Sequence, residues 1–456
     1  MLGSRKGEKM EYKETLAEII KKSLKAGAEQ AEAYLEENKE LLIRVRKGEI
    51  EILKEAQARG LGIRLFVKKK LGFTYTSDFS LNALDELVKK TVFLAKNSSA
   101  DDFNGLPEKI ESSPETTDLR IYDSQLKNFP TQMKIDLAKR AEDAAFAADK
   151  KITNSDGAEY RDHETRVYLA NSSGADLSFQ RTYISLSCSP VAEKDGEKRS
   201  NYFWDAKSLL EELEPPEKIG RAATERTVRM LGSKKIDTQK VPIIFDPFTS
   251  SGFLAGLSYG VNGDLASKNS TFLAGRLDQK VGSELLNVWD DGSLPKGLGS
   301  RPFDGEGTLT QRKKVFDNGV LKTFLHNSYS ARKMKTISTG NASRGYDSIP
   351  RISALNFYLE NGQTDPAEII RSVKKGFYVT DLAGFGMNIV SGDYSQMAEG
   401  LWIEDGVLTF PVSQVTIAGT ILEMLNGIEM VGNDLTFRGS ISSPTLKFSE
   451  MVVSGK

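Results

Sequence analysis

At 456 residues the chain is long for a single core, so two or three domains are expected. Its 62 lysines and arginines against 63 aspartates and glutamates leave a net charge of −1, which gives no electrostatic case for a nucleic-acid or anionic-membrane partner. One cysteine and two histidines exclude a site built within the chain from several His and Cys ligands, and no apolar run approaches the ~20 residues of a membrane span.

The first residues carry charge without the apolar run of a secretory signal. Residues 1–9 are expected to be a loose leader, with Met10 as an alternative start and the cytoplasm as the compartment. An amphipathic helix is predicted over 12–27, with Leu16, Ile19, Ile20 and Leu24 on one stripe. Strand-like runs follow at Ala31–Glu36, Leu41–Arg46, Glu49–Ala56, Leu61–Val67 and Leu71–Thr76, with a tight turn at Lys47-Gly48. Ser80 is a candidate N-cap for a second helix that buries Leu81, Leu84, Leu87, Val88 and Val92.

Asn97 to Asp118 is poor in large apolar residues and reads as an exposed linker. Beyond it, Thr131–Lys150 is a predicted helix with a narrow alanine face. Strands are predicted at Ala158–Ala170, Asp176–Pro190 and Ser200–Trp204, and Pro215-Pro216 opens another helix that Gly232 closes. From Lys240 onward β structure dominates, with hairpin signals at Asp317-Asn318-Gly319, Asn361-Gly362 and Asp405-Gly406, and one clear helix over Pro366–Lys375. The fold class is therefore α+β: an N-terminal helix–antiparallel sheet–helix domain (10–97), a linker (98–120), a mixed middle segment (121–235) and a large β-rich C-terminal domain (236–456).

The central stretch is Phe245–Gly263, FDPFTSSGFLAGLSYGVNG, which follows the apolar run Val241–Phe245 as a small-residue helix follows a buried strand. Gly256-Leu257-Ser258-Tyr259-Gly260 matches GxSxG, but about a dozen residues separate Ser258 from the strand end, where a nucleophile elbow needs a sharp turn. His163-Glu164 lacks the second histidine of HExxH and reads as a surface strand residue. His326 reads as a hydrogen-bonded structural residue, with a general base or a peptide contact as alternatives. Cys188, on an alternating strand, reads as a core thiol. The loop Arg301–Gly307 holds Arg301 near Asp304 and Glu306, as a structural ion pair or as a peptide-carboxylate contact. In the loop Asn341–Tyr346, Asn341 and Arg344 are candidates to bind an extended backbone.

Several separated segments in order resemble the TldD/PmbA family, also called modulators of DNA gyrase. They are Gly27–Glu32, Gly48–Leu53, Gly299–Gly307 (GSRPFDGEG), Ser328–Lys333 (SYSARK), Ser338–Ala342 (STGNA), Ser391–Ser395 (SGDYS) and Met430–Leu435 (MVGNDL). The resemblance implies a metallopeptidase with two subunit types. In the catalytic, TldD-like type a His-Glu-x-x-x-His segment and a late cysteine hold the metal. Aligned through Gly263-Asp264, those three positions fall on Leu254, Ala255 and Tyr259, and the cysteine-bearing insertion is also missing, because Phe437–Ile441 runs almost directly into Pro444–Lys447.

The joint loss resembles the PmbA (TldE-like) type. It implies no catalytic or metal-binding residue here, no cofactor in this chain and zinc only in a TldD-like partner. It further implies a heterodimer with that partner or a homodimer, and an extended, unfolded or leader peptide as substrate. No nucleic acid or membrane is expected to be bound. Tyr259, Arg301, His326, Asn341 and Arg344 are the candidate peptide contacts. The alternative is a regulatory protein that binds DNA gyrase or another folded partner and has no peptidase role.

Overall fold

Lys47 and Gly48 both take left-handed backbone (φ 53° and 76°), the geometry of a two-residue hairpin turn, and two long strands leave this turn. The structure, a computed structural model, describes residues 3–108, 118–384 and 386–455, and side chains from Tyr12 onward. Met1, Leu2, the centre of the expected linker (109–117) and Phe385 of the Gly384–Gly386 segment lie outside the described residues.

Helix α1 spans Gly3–Lys25, so most of the expected leader is helical; Leu16, Ile19 and Ile20 are buried, while Leu24 is exposed. Strands β1 (Gln30–Arg46) and β2 (Glu49–Val67) are each continuous where two shorter runs were expected. Nothing in Glu37–Glu40 demands a turn, and Gly60 and Gly62 serve in β2 as sites of close approach: a Cβ on either would overlap Tyr346. After β3 (Lys70–Thr76), Ser80 caps α2 (Leu81–Asn97) through the Ala83 amide. Leu84, Leu87, Val88 and Val92 face inward, but Leu81, at the first helical position, is exposed. The stretch after α2 is not free: Arg332 donates to the carbonyls of Phe103, Gly105 and Leu106 at 2.6–3.1 Å.

Helix α3 (Thr131–Ala148) lays its alanine face on α4 (Pro216–Val228), where Gly220 sits against the Ala141 carbonyl and permits the close approach. Between them run β4 (Ile152–Asn171), β5 (Asp176–Lys194), β6 (Glu197–Ser200) and β7 (Phe203–Lys207). The order β3-β2-β1-β4-β5-β6, with β7 also on β5, makes one seven-stranded antiparallel sheet. The expected N-terminal and middle units thus share a sheet, joined along the β1–β4 pairing.

Alternation assigns the two sheet faces. Ala31, Ala33 and Leu35 of β1 pack with residues of α1 and α2, and Ile43, Tyr160 and Leu186 with α3 and α4. The even positions of β1 and the odd positions of β4 make the opposite face, where Tyr34 meets Phe303 of the C-terminal half.

That half starts with β8 (Gln239–Phe245), followed by α5 (Pro247–Gly260). β8 is flanked by Lys375–Ala383, parallel, and Leu446–Ser454, antiparallel. Asp393–Glu404 and Val407–Thr420 continue the sheet, and pairing of Val407–Thr420 with Leu446–Ser454 closes five strands into a barrel. The Asp405-Gly406 and Asn318-Gly319 turns form as expected, each with two left-handed residues. Asn361-Gly362 makes no hairpin; the Gly362 amide bonds the Gly432 carbonyl, and Asn356–Leu359 pairs instead with Val288–Asp291 and Ile441–Ser442. The Pro366 helix stops at Arg371, with Ile369 buried.

Candidate functional site

Asp246 fixes the start of α5: its carboxylate accepts from the Thr249 amide at 2.9 Å, and Pro247 takes the first helical position. Arg226 of α4 pairs with the same carboxylate at 3.0 Å and donates to the Thr380 carbonyl at 2.6 Å. Phe253, Leu254 and Leu257 then enter the largest core, where Phe253 meets Phe245 and Phe448 edge-on. Gly252 and Ala255 line a cavity of about 380 Å³.

The three positions expected to stand in for metal ligands therefore diverge. Leu254 is 2% exposed in the core, Ala255 lines the cavity, and Tyr259 is 65% exposed. Leu254 and Ala255 carry no donor atom, and the residues present do not fit a metal centre at this helix. Among the described residues no group of three or more His, Cys, Asp and Glu is placed to hold a metal. The Ser258 hydroxyl donates to the Ala255 carbonyl of its own helix at 2.7 Å.

Tyr202, Trp204, Phe248, Arg226, Asp381 and Arg438 form much of the remaining cavity wall. Both guanidinium groups lie over Phe248, at 4.6 Å for Arg226 and 5.5 Å for Arg438. Burial holds the Asp381 carboxyl above the usual carboxylate range. Sequence reasoning missed this wall, because its residues come from β7, α4, the start of α5, a barrel strand and the segment before Ile441. The one local hint was Phe248, an aromatic residue in the first turn of the helix that follows the buried strand β8.

Trp204 also lines a second cavity, of about 540 Å³, on the polar face of the seven-stranded sheet with Glu40, Arg161, His163, Tyr183 and Ser185. His163 is a strand residue, as expected, and is half-buried; burial and then the charge of Arg181 hold its imidazole below the usual value.

The other candidate contacts sit elsewhere. Asn341 is buried: its amide donates to Asp290 at 2.8 Å and to the Ser353 carbonyl at 3.0 Å, and its carbonyl accepts from Thr339 at 2.7 Å. Arg344 is buried over Tyr34 and paired with Glu32. The His326 ring packs against Gly263 with Nδ1 3.0 Å from the Ser330 hydroxyl, and burial pushes its pKa down to about 4. These three side chains are engaged within the fold.

The ion pair expected for Arg301 is not made. Asp304 instead accepts the amides of Glu306, Thr308 and Ala342, and Glu306 pairs with Arg64. Among the described residues the buried Nε of Arg301 has no partner, and burial holds its pKa below the usual arginine value. Cys188 is fully buried as expected, its thiol pushed up to about 12 by burial.

Comparison with known proteins covers all three parts of the chain. Residues 31–95 match PmbA/TldA metallopeptidase domain 1, residues 125–231 the central domain and residues 238–455 the C-terminal domain. The chain is 30% identical over 450 residues to the metalloprotease PmbA homolog of Haemophilus influenzae, spanning 99% of this chain and 97% of that one. The same organism has a metalloprotease TldD homolog, 24% identical over 87% of both chains. A Bacteroides thetaiotaomicron crystal structure named as a modulator of DNA gyrase superposes with a TM-score of 0.90, at 28% identity, over 98% of this chain and 99% of its own.

Proposed function

The chain belongs to the PmbA/TldD metallopeptidase family, and from that premise we propose that it is the PmbA (TldE-like) subunit of a two-subunit peptidase, holding an extended peptide for a zinc-bearing, TldD-like partner in the cytoplasm. One observation supports the reading: the α5 helix, on which the resemblance sets Leu254, Ala255 and Tyr259 at the catalytic type's motif positions, borders a cavity with aromatic walls. The presence of PmbA and TldD homologs together in Haemophilus influenzae supports the pairing.

The chain's own residues supply binding rather than bond cleavage. The aromatic wall takes apolar side chains, the polar sheet face around His163 and Tyr183 offers hydrogen bonds to peptide backbone, and the exposed Tyr259 is free to contact the peptide or the partner. No step of hydrolysis is assigned to this chain.

Incubation with zinc and an unfolded peptide tests this, with the protein alone and with a TldD-like partner. Chelator-sensitive cleavage is expected only in the mixture. Cleavage by the purified chain alone would sink the idea.

A further inference from the structure

We propose that the cavity beside the first turns of α5 is a subsite for the C-terminal residue of a peptide, with its free carboxylate on Arg438 and an apolar side chain among Tyr202, Trp204 and Phe248. The subsite rests on the peptide-holding reading and narrows it to peptide ends.

Arg438 carries the argument. Its guanidinium carbon lies 5.2 Å from the centre of the Phe203 ring and 5.5 Å from that of Phe248, so it sits between two aromatic side chains. Among the described residues it has no carboxylate at ion-pair distance and no hydrogen bond, and its Nε is buried without a partner. The neighbouring Arg226 differs: it is engaged by Asp246 and by the Thr380 carbonyl. One arginine closes the structure, and the other is positioned but unused.

The remaining wall favours an anion. Asp381 is the sole carboxylate lining the cavity among the described residues; it accepts from Asn201 at 3.3 Å, and burial raises its pKa above the usual carboxylate value. Arg438 has no carboxylate at ion-pair distance among the described residues, and a guanidinium suits a carboxylate bidentately. The N-terminal amides of α5 are not needed as donors, since Asp246 already caps Thr249. A volume of about 380 Å³ is at the small end of ligand pockets, enough for a terminal residue and its neighbour. Gly252 leaves one side open: a Cβ built there meets nothing within 4 Å.

Titration of the purified full chain with a flexible Gly/Ser hexapeptide ending in phenylalanine tests the subsite, comparing the free acid with the C-terminal amide. A charge-assisted pair predicts that the acid binds roughly tenfold tighter or more. Arg438→Gln is expected to level the two. Gly252→Leu, which fills the cavity and leaves the arginine in place, is expected to weaken the acid at least as much, with melting curves confirming that both variants fold.

Equal binding of acid and amide by the parent chain would overturn the subsite, as would an acid preference that survives in either folded variant. Acetylphenylalanine binding as tightly as the hexapeptide would overturn the peptide assignment in favour of a free aromatic acid. If the chain alone binds neither peptide, the subsite fails; cleavage by the mixture with a TldD-like partner then shows separately whether the broader reading stands.

Discussion

Arg64 of β2 donates to Glu306 at 2.9 Å across 242 positions of chain, and this bond joins the seven-stranded sheet to the C-terminal half. The side chains are 7% and 1% exposed. Arg64 also pairs with Glu32 at 3.0 Å, Glu32 pairs with Arg344, and the second Glu306 oxygen accepts the Ser328 amide at 2.8 Å. Burial alone would raise the Glu306 pKa; Arg64 and the Ser328 amide outweigh it and hold the group ionised.

Removing one charge from such a cluster strands the others, at about 3–5 kcal/mol. Glu306→Gln is thus expected to lower the unfolding free energy by that order in denaturant titrations. Adding Arg64→Met is expected to cost less than the sum of the two single changes, because the second substitution removes the stranded partner.

Gly62 makes a second, steric connection between the halves. A Cβ at this position would overlap the Tyr346 carbonyl, and backbone gives way less readily than a side chain. Gly62→Ala is expected to destabilise by about 1–3 kcal/mol although alanine suits a strand at least as well as glycine. A shift in the denaturation midpoint with an unchanged m-value would mark it as strain in the native state.

These two contacts show where the sequence stops being informative. Lys47-Gly48 and Asp405-Gly406 were legible because two adjacent residues decide that geometry, and Ser80 was legible because a cap acts over one turn. Asn361-Gly362 carries the same local signal, but the Gly432 carbonyl captures the Gly362 amide and the strand pairs elsewhere. Leu24 and Leu81 have the right period but lie at helix ends, beyond the reach of the core. Arg301 misled for a related reason: its neighbours Asp304 and Glu306 are close in sequence, yet Arg64 takes one and backbone amides take the other. The α5 helix could be read from residue types; the cavity wall could not, since its residues come from five distant segments.

His326 gives the protein a measurable pH dependence. Burial against Gly263 lowers its pKa from 6.5 to about 4, so the folded chain keeps the ring neutral where the unfolded chain protonates it. Its contribution is complete above pH 6.5 and is lost as the pH falls from 6.5 to 4, a change of about 3 kcal/mol. Stability curves of the parent and of His326→Gln are expected to converge in slope above pH 7 and to diverge below 6, with the parent losing stability faster on acidification.

Restoring the catalytic motif on α5 is expected to fail. Leu254→His, Ala255→Glu and Tyr259→His would recreate the His-Glu-x-x-x-His letters, but position 254 faces the barrel core and 259 faces solvent. Replacing Leu254 alone leaves a poorly filled site and buries a polar ring, a cost of about 2–5 kcal/mol. The triple variant is expected to melt earlier than the parent and to bind no stoichiometric zinc by calorimetry.

Tyr259 offers the cleanest separation of assembly from stability. At 65% exposure its ring contributes little to the core, so Tyr259→Ala is expected to change the unfolding free energy by no more than about 0.5 kcal/mol. An exposed aromatic residue on a helix that borders a cavity is nonetheless the kind of side chain that anchors a protein interface, where truncation typically costs more than 1 kcal/mol. If Tyr259 touches the TldD-like partner or the peptide they share, the variant will reduce cleavage by the mixture about fivefold or more while its melting curve stays in place. Raising the concentration of the variant tenfold is then expected to restore cleavage if the lost contact is with the partner, and to leave it reduced if the contact is with the peptide. Unchanged cleavage at every concentration would remove Tyr259 from the functional surface.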